Sequence, residues 1–351
     1  MAAADVSGER NDGFPHRGYP TGWFQVAWDG ELGDGAVTPL HYFGQNLVLY
    51  RTASGRPQVL SAHCPHMGAH LGYGGCVDGE LIVCPFHGWS WNTDGTNAMV
   101  PSTGEPTARR TIQTWPTAVS NGIIWIWHDA AGRGPLWDAP ASLPGVAEGE
   151  RYPVFPNCVR KFANIRMKPQ YVPENNVDLD HLHWIHRAEG PIALEQFEED
   201  TYCFRTAVRM VYGYGKPSTR LTPDGPIDVV VHAEIWGLGY QFTFFPVPDQ
   251  AISIQAQTPI DEDHCDMFQS VVVFRDGGRD TGGDGDVPEG LAKVRIREQL
   301  VQIERDIPIW EHMKYLPNAA LTRTEAKPVV ALRRWAAGFY PQSPAADQAV
   351  S

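Results

Sequence analysis

Two short stretches place metal-binding side chains close together: Cys64-Pro65-His66 and, 17 residues later, Cys84-Pro85-Phe86-His87. Two thiolates and two imidazoles can take up a zinc ion or an iron–sulfur cluster. Zinc-finger spacing usually keeps the cysteine pair apart from the histidine pair. Here each loop supplies one of each, which suits a binuclear [2Fe–2S] centre straddled by both loops. Two thiolates then hold one iron and two imidazoles the other. Gly68, Gly72, Gly74, Gly75 and Gly88 allow the tight turns and close backbone approach such a centre needs, and Trp89 and Trp91 can shield it. His63 and His70 fall outside the spacing and read as packing or surface residues.

A second constellation lies between Glu174 and His186, where His181, His183 and His186 crowd into six residues beside Asp178 and Asp180. Two histidines and one carboxylate on one face of an iron leave positions open for dioxygen and substrate. Spacing alone leaves the histidine pair open. His183 and His186 are neighbours on a regular helix. His181 and His186 are about 140° apart around one, so they converge only across a π-bulge or a helix end. The carboxylate should come from far downstream, where the run from Glu304 through Asp306 to Glu311 holds the candidates. Asp306 precedes Pro308, and its flanking Ile303 and Ile307 face a core, so it can point inward; Glu304 is the reserve.

These side chains need rigid elements to hold them. Asn46–Tyr50 and Pro57–Leu60 flank Ser54-Gly55-Arg56 and read as a hairpin. Residues 123–127, 228–232, 240–245 and 270–274 read as strands, and Leu300, Ile303, Ile307 and Trp310 recur at helical spacing. That spacing predicts a long helix over about 289–314, bent where Pro308 removes a backbone bond. The 351 residues include 35 Gly and 29 Pro, which favours many turns and β-rich architecture. A formal net charge of −13 argues against nucleic acid or anionic membrane as a general partner. No apolar run reaches the roughly 18 residues of a spanning helix, and the first ten residues lack the apolar core of a signal peptide. A cytoplasmic location is expected, with the cysteines as free thiols or metal ligands rather than disulfides.

Cys-Pro-His-Met-Gly-Ala-His-Leu followed by Cys-Pro-Phe-His-Gly-Trp resembles the Rieske domain of ring-hydroxylating oxygenases. The Rieske proteins of respiratory complexes add a disulfide between the two loops; Gly68 and Trp89 stand at its expected positions here. Asp-x-x-His-x-x-x-x-His, shared by these oxygenases, falls on Asp178, His181 and His186. The run from Glu304 to Leu316, with Arg333-Arg334-Trp335, resembles the end of the 3-ketosteroid 9α-hydroxylase oxygenase component, whose third ligand falls on Asp306.

The resemblance implies an α+β chain: a flexible N-terminus (1–18), a β-rich Rieske domain (19–130), a linker (131–150), a helix-grip catalytic domain with an antiparallel sheet (151–341) and a disordered tail (342–351). It implies a [2Fe–2S] cluster on Cys64, His66, Cys84 and His87 and a mononuclear Fe(II) on His181, His186 and Asp306. It also implies a homotrimer in which Asp178 bridges His87 of one subunit to His181 of the next. NAD(P)H would serve only through a separate ferredoxin or flavin reductase, since no dinucleotide-binding glycine motif follows a strand. Arg109, Arg110, Arg160 and Lys161 are weak candidates for a docking patch. The implied reaction is monooxygenation of a hydrophobic, steroid-like or secondary-metabolite ring, with ring dioxygenation, aryl-amine N-oxygenation and desaturation open on the same ligands. A non-catalytic electron carrier is the distant alternative. Trp236, Tyr240, Phe242, Phe244 and Phe245 could line the pocket, although alternating residues of such a strand more often pack a core.

Overall fold

The computed structural model describes residues 13–146, 149–219, 222–246, 250–275 and 285–341. Residues 1–12 of the N-terminus expected to be flexible, residues 276–284 and the tail 342–351 lie outside the described residues. The N-terminal part is built from short antiparallel strands in three sheets. Gly22–Trp28, Ile123–His128 and Thr117–Ser120 form one, and Val37–Tyr42, Gln45–Arg51, Pro57–Ser61 and Thr114–Trp115 form a second. The third is small: Cys76–Asp78, Leu81–Val83, Ser90–Trp91 and Asn97–Met99. The expected hairpin is present, with Arg51 opposite Pro57. The first Cys/His loop leaves the second sheet after Ser61 and leads into the third, and the second joins Leu81–Val83 to Ser90–Trp91 within the third.

The C-terminal part is a seven-stranded antiparallel sheet. Its strands are β1 (Val159–Arg166), β2 (Ala193–Glu199), β3 (Cys203–Tyr212), β4 (Ile227–Trp236), β5 (Tyr240–Phe245), β6 (Ala251–Pro259) and β7 (His264–Val273), in the order β1-β7-β6-β5-β4-β3-β2. Among the described residues four α-helices accompany it: α1 (Tyr171–Asn175), α2 (Asp180–Trp184), α3 (Gly290–His312) and α4 (Ala326–Ala337). α3 matches the predicted long helix and runs through Pro308. Ile303, Asp306 and Trp310 share its buried face, as the i, i+3, i+7 spacing requires.

Side chains alternate across a strand, and β5 shows which way. Tyr240, Phe242 and Phe244 pack against Trp23, Phe24 and Trp125 of the N-terminal part in one continuous core; the rings of Trp125 and Tyr240 lie 5.0 Å apart. Trp236 packs there too. Gln241, Thr243 and Phe245 face the other way, into a cavity under α3. Of the five aromatic residues considered for the pocket, only Phe245 lines it; burial against the second domain claimed the others. Polar contacts tie the same interface: Trp28 Nε1 donates to Ser270 Oγ at 2.8 Å and the Tyr42 hydroxyl to Asp266 at 2.8 Å. Lys161 pairs with that aspartate and Arg160 with Glu304.

Candidate metal centres and substrate cavity

The two cysteine loops are built alike. The carbonyl of Cys64 accepts from Gly68 N–H at 2.9 Å, and that of Cys84 from Gly88 N–H at 3.1 Å. One residue further, Cys64 N–H donates to Ala69 O at 2.9 Å and Cys84 N–H to Trp89 O at 2.8 Å. Gly68 and Gly88 close these turns at φ of 79° and 70°, which a side chain would strain. Both cysteines are buried, while His66 and His87 reach the surface with rings 4.6 Å apart. Trp89 stacks flat on His66. Burial, with Cys84 alongside, raises the Cys64 thiol. A buried thiol pair beneath an exposed imidazole pair is the donor set a Rieske cluster takes. His63 and His70 instead support the first loop: His63 Nδ1 meets Gly68 O at 3.0 Å, and Gly72 N–H donates to His70 Nδ1 at 3.0 Å. All six cysteines are free.

The second constellation converges. α2 ends at Trp184, and both Ile185 N–H and His186 N–H turn back to the carbonyl of His181. The helix end lies between the two histidines, which removes the angular conflict that a continuous helix would impose. Arg187, at φ of 60°, completes the turn. His181 and His186 stand with ring centroids 5.0 Å apart. From α3, Asp306 brings Oδ1 to 3.4 Å from His186 Nε2. One donor atom from each of the three lies within 4.8 Å of the others.

Burial pushes His186 down to about 4, helped by His181 and Arg305, so this contact is not an ion pair at neutral pH. His181 is lowered by the same burial, against the pull of Asp178. Burial raises Asp306 to about 7; Arg305 opposes the rise and Asp178 adds to it. Two neutral imidazoles and a carboxylate that makes no Lys or Arg ion pair among the described residues are a donor set that would hold a divalent ion of intermediate softness.

Asp178 is 45% exposed at its side chain. Its main-chain carbonyl accepts the Nδ1–H of His181, while its carboxylate stays 4.0 Å from that nitrogen. Within the chain the His181 ring proton thus goes to the main-chain carbonyl of Asp178 and not to its carboxylate. His183 turns away and donates Nδ1–H to Ala188 O at 2.8 Å, and Glu304 is drawn outward by Arg160. His183→Ala should leave iron content unchanged and cost about 1 kcal/mol of stability, read by metal analysis and thermal unfolding. Loss of bound iron in that variant would make His183 a ligand.

The triad opens on a cavity of about 680 Å³. Its floor is the face of the sheet turned from the N-terminal part. Val208 and Val231 pair across it, beside Phe245; next comes the row Thr206, Ala233, Thr243 and Ser253, then Gln241 and Gln255. The sequence could have shown this alternate set, because Gln241, Thr243 and Phe245 interleave with the aromatic residues.

Residues 22–116 match the Rieske [2Fe–2S] domain, and residues 126–340 match the 3-ketosteroid 9α-hydroxylase C-terminal domain. The chain belongs to the Rieske non-heme iron oxygenases of this type. Among curated relatives, this Rieske oxygenase is 39% identical over 168 residues to cholesterol 7-desaturase nvd of Bombyx mori, a match over 48% of this chain and 36% of that protein. It is 27% identical to a probable 3-ketosteroid-9-alpha-monooxygenase oxygenase component of Rhodococcus rhodochrous, over 93% of this chain and 82% of that one. Among solved structures, Pseudomonas putida CBB5 NdmA with caffeine superposes with a TM-score of 0.68 at 16% identity, over 90% of this chain and 89% of that one. That likeness speaks for the fold.

Proposed function

We propose that this chain is the terminal component of a multi-protein oxygenase, acting on a hydrophobic, steroid-like ring compound by hydroxylation or desaturation. The observation that carries the reading is the His181–His186–Asp306 triad opening onto a large sheet-floored cavity in a chain that also holds the Cys/His loops. When bound, the cluster supplies one-electron transfer and the mononuclear iron supplies dioxygen activation.

The chain's own residues supply the rest. Cys64, His66, Cys84 and His87 would hold the cluster. With the His181 Nδ1 proton fixed on the Asp178 carbonyl, Nε2 is left unprotonated to face the metal. His186, neutral above about pH 4, is ready to ligate without losing a proton. Asp306 contributes the charge. Val208, Val231 and Phe245 exclude water from one end of the cavity. The triad opens on the cavity, where a ring can be presented.

The exposed His87 and the half-exposed Asp178 support a trimer in which the cluster edge of one subunit meets the triad of the next. Trp184, 80% exposed beside the triad, and Phe86 and Met67, exposed beside the cluster, give that contact an apolar element. Reducing equivalents come from NAD(P)H through a separate ferredoxin or flavin reductase. Six free cysteines suit a reducing, cytoplasmic compartment, and among the described residues no helix is long and apolar enough to cross a membrane.

The test is reconstitution with a ferredoxin–reductase pair, NADH and a panel of sterols, 3-ketosteroids and smaller ring compounds, with products read by mass spectrometry. The expected product has gained an oxygen atom or lost two hydrogens, in a protein with about three irons per chain. About two irons per chain and no substrate-dependent oxygen uptake would make it an electron carrier.

A further inference from the structure

The cavity floor carries a chain of carboxamides whose direction is fixed. Asn176 caps α1 and lies two residues before Asp178. Its Nδ2 faces the main-chain carbonyls of Val172 and Pro173, at 3.4 and 3.3 Å, and donates to Gln241 Oε1 at 2.8 Å. Carbonyl oxygens only accept, so the Asn176 amide cannot be turned round. Gln241 must then present oxygen to Asn176 and nitrogen to Gln255, and Gln241 Nε2 does donate to Gln255 Oε1. Gln255 is left with its Nε2, a two-proton donor on the cavity wall with no acceptor among the described residues.

The floor beside this donor is shaped for a flat molecule. Thr206, Ala233, Thr243 and Ser253 are adjacent across β3, β4, β5 and β6, and all are small. They form a shallow trough between the apolar row and the amide row. We propose that Gln255 selects ring substrates by donating a hydrogen bond to a carbonyl or hydroxyl oxygen, with Gln241 and Asn176 as positioning residues that aim it. This rests on the oxygenase reading above and adds to it a polar requirement on the substrate. A site built to hydrogen-bond a substrate oxygen rejects the analogue that lacks it, because the donor is then covered by the bound ring and left unpaired.

The test is equilibrium binding to the holoenzyme of two matched pairs, androstenedione with androstane and α-tetralone with tetralin, followed by tryptophan fluorescence. Trp310 lines the same cavity. On whichever scaffold binds, the ketone should bind about tenfold tighter than its hydrocarbon. Gln255→Leu should erase that ratio by weakening the ketone, leaving the hydrocarbon within about twofold. Gln241→Leu, which frees Gln255 to turn, should cut the ratio about threefold, and it decides the matter if Gln255→Leu fails to fold. Ala233→Leu should weaken both members alike by filling the trough. Unchanged cluster absorbance verifies the fold of each variant. Equal affinity of ketone and hydrocarbon in the natural protein, a ratio that survives both glutamine substitutions, or binding by neither scaffold overturns the proposal. If the preference holds for tetralone while the steroids fail to bind, the amide assignment stands and the steroid-like reading falls.

Discussion

Asp306→Ala is expected to empty the mononuclear site while leaving the absorbance of the cluster unchanged. The two sites share no residue, and the substitution lies on α3, away from the loops at 64–69 and 84–89. Removing a hydrogen-bond partner of a metal ligand already costs about 10- to 100-fold in affinity, so loss of a ligand should cost more than about 100-fold. Glu304, the other candidate on α3, is held outward by Arg160 and does not take its place. The two histidines remain, but both are neutral, and together they carry no charge to offset a dication in this buried site. Ferrous titration of metal-depleted protein checks this, with the count falling from about three irons to about two. Full occupancy in Asp306→Ala would move the ligand role to another residue. The variant should still accept electrons into the cluster from a chemical reductant, so a bleachable cluster with no oxygen uptake is the combined signature.

How far this site was legible in the sequence depends on which force decided each part. The cluster loops were fully local: a Cys-x-His and a Cys-x-x-His, each closed by a glycine, fold by short-range bonds that spacing reveals. The histidine pair was half legible. Spacing posed a choice between a bulge and a helix end, and the structure ends α2 at Trp184, a local event set by the turn at Ile185 to Arg187. Asp306 could be suggested from its flanks Ile303 and Ile307, of which the structure buries the first fully and the second partly, and from the family resemblance, yet its meeting with His186 depends on tertiary packing across 120 residues. The cavity wall was the least legible part. Period-two alternation identifies two faces of β5 but not which one meets the neighbouring domain. The aromatic face took the larger apolar burial, against Trp23, Phe24 and Trp125, and left the amides for the cavity.

Asp178→Asn is expected to abolish turnover with both metal centres loaded. The structure separates the two jobs this residue could do. Its main-chain carbonyl fixes the His181 ring and survives any side-chain change, so iron should be retained. Its carboxylate accepts only a long 3.4 Å contact from His181 N–H and is otherwise turned to the surface. In the trimer proposed above, that carboxylate would receive a ring N–H of His87 from the adjoining subunit, and the main-chain carbonyl of the same residue would carry the link on to the His181 ring. Asparagine matches its shape but carries no charge and replaces one acceptor oxygen by a donor, which faces the incoming N–H with a proton of its own or with a weaker acceptor. The loss should exceed about 100-fold, the upper range for removal of a partner that orients a metal ligand. Stopped-flow reoxidation of the reduced cluster in the presence of substrate and dioxygen is the measurement. A slow cluster phase with normal iron content supports the bridging role, whereas a normal phase would leave Asp178 as a surface residue and require another path between the centres.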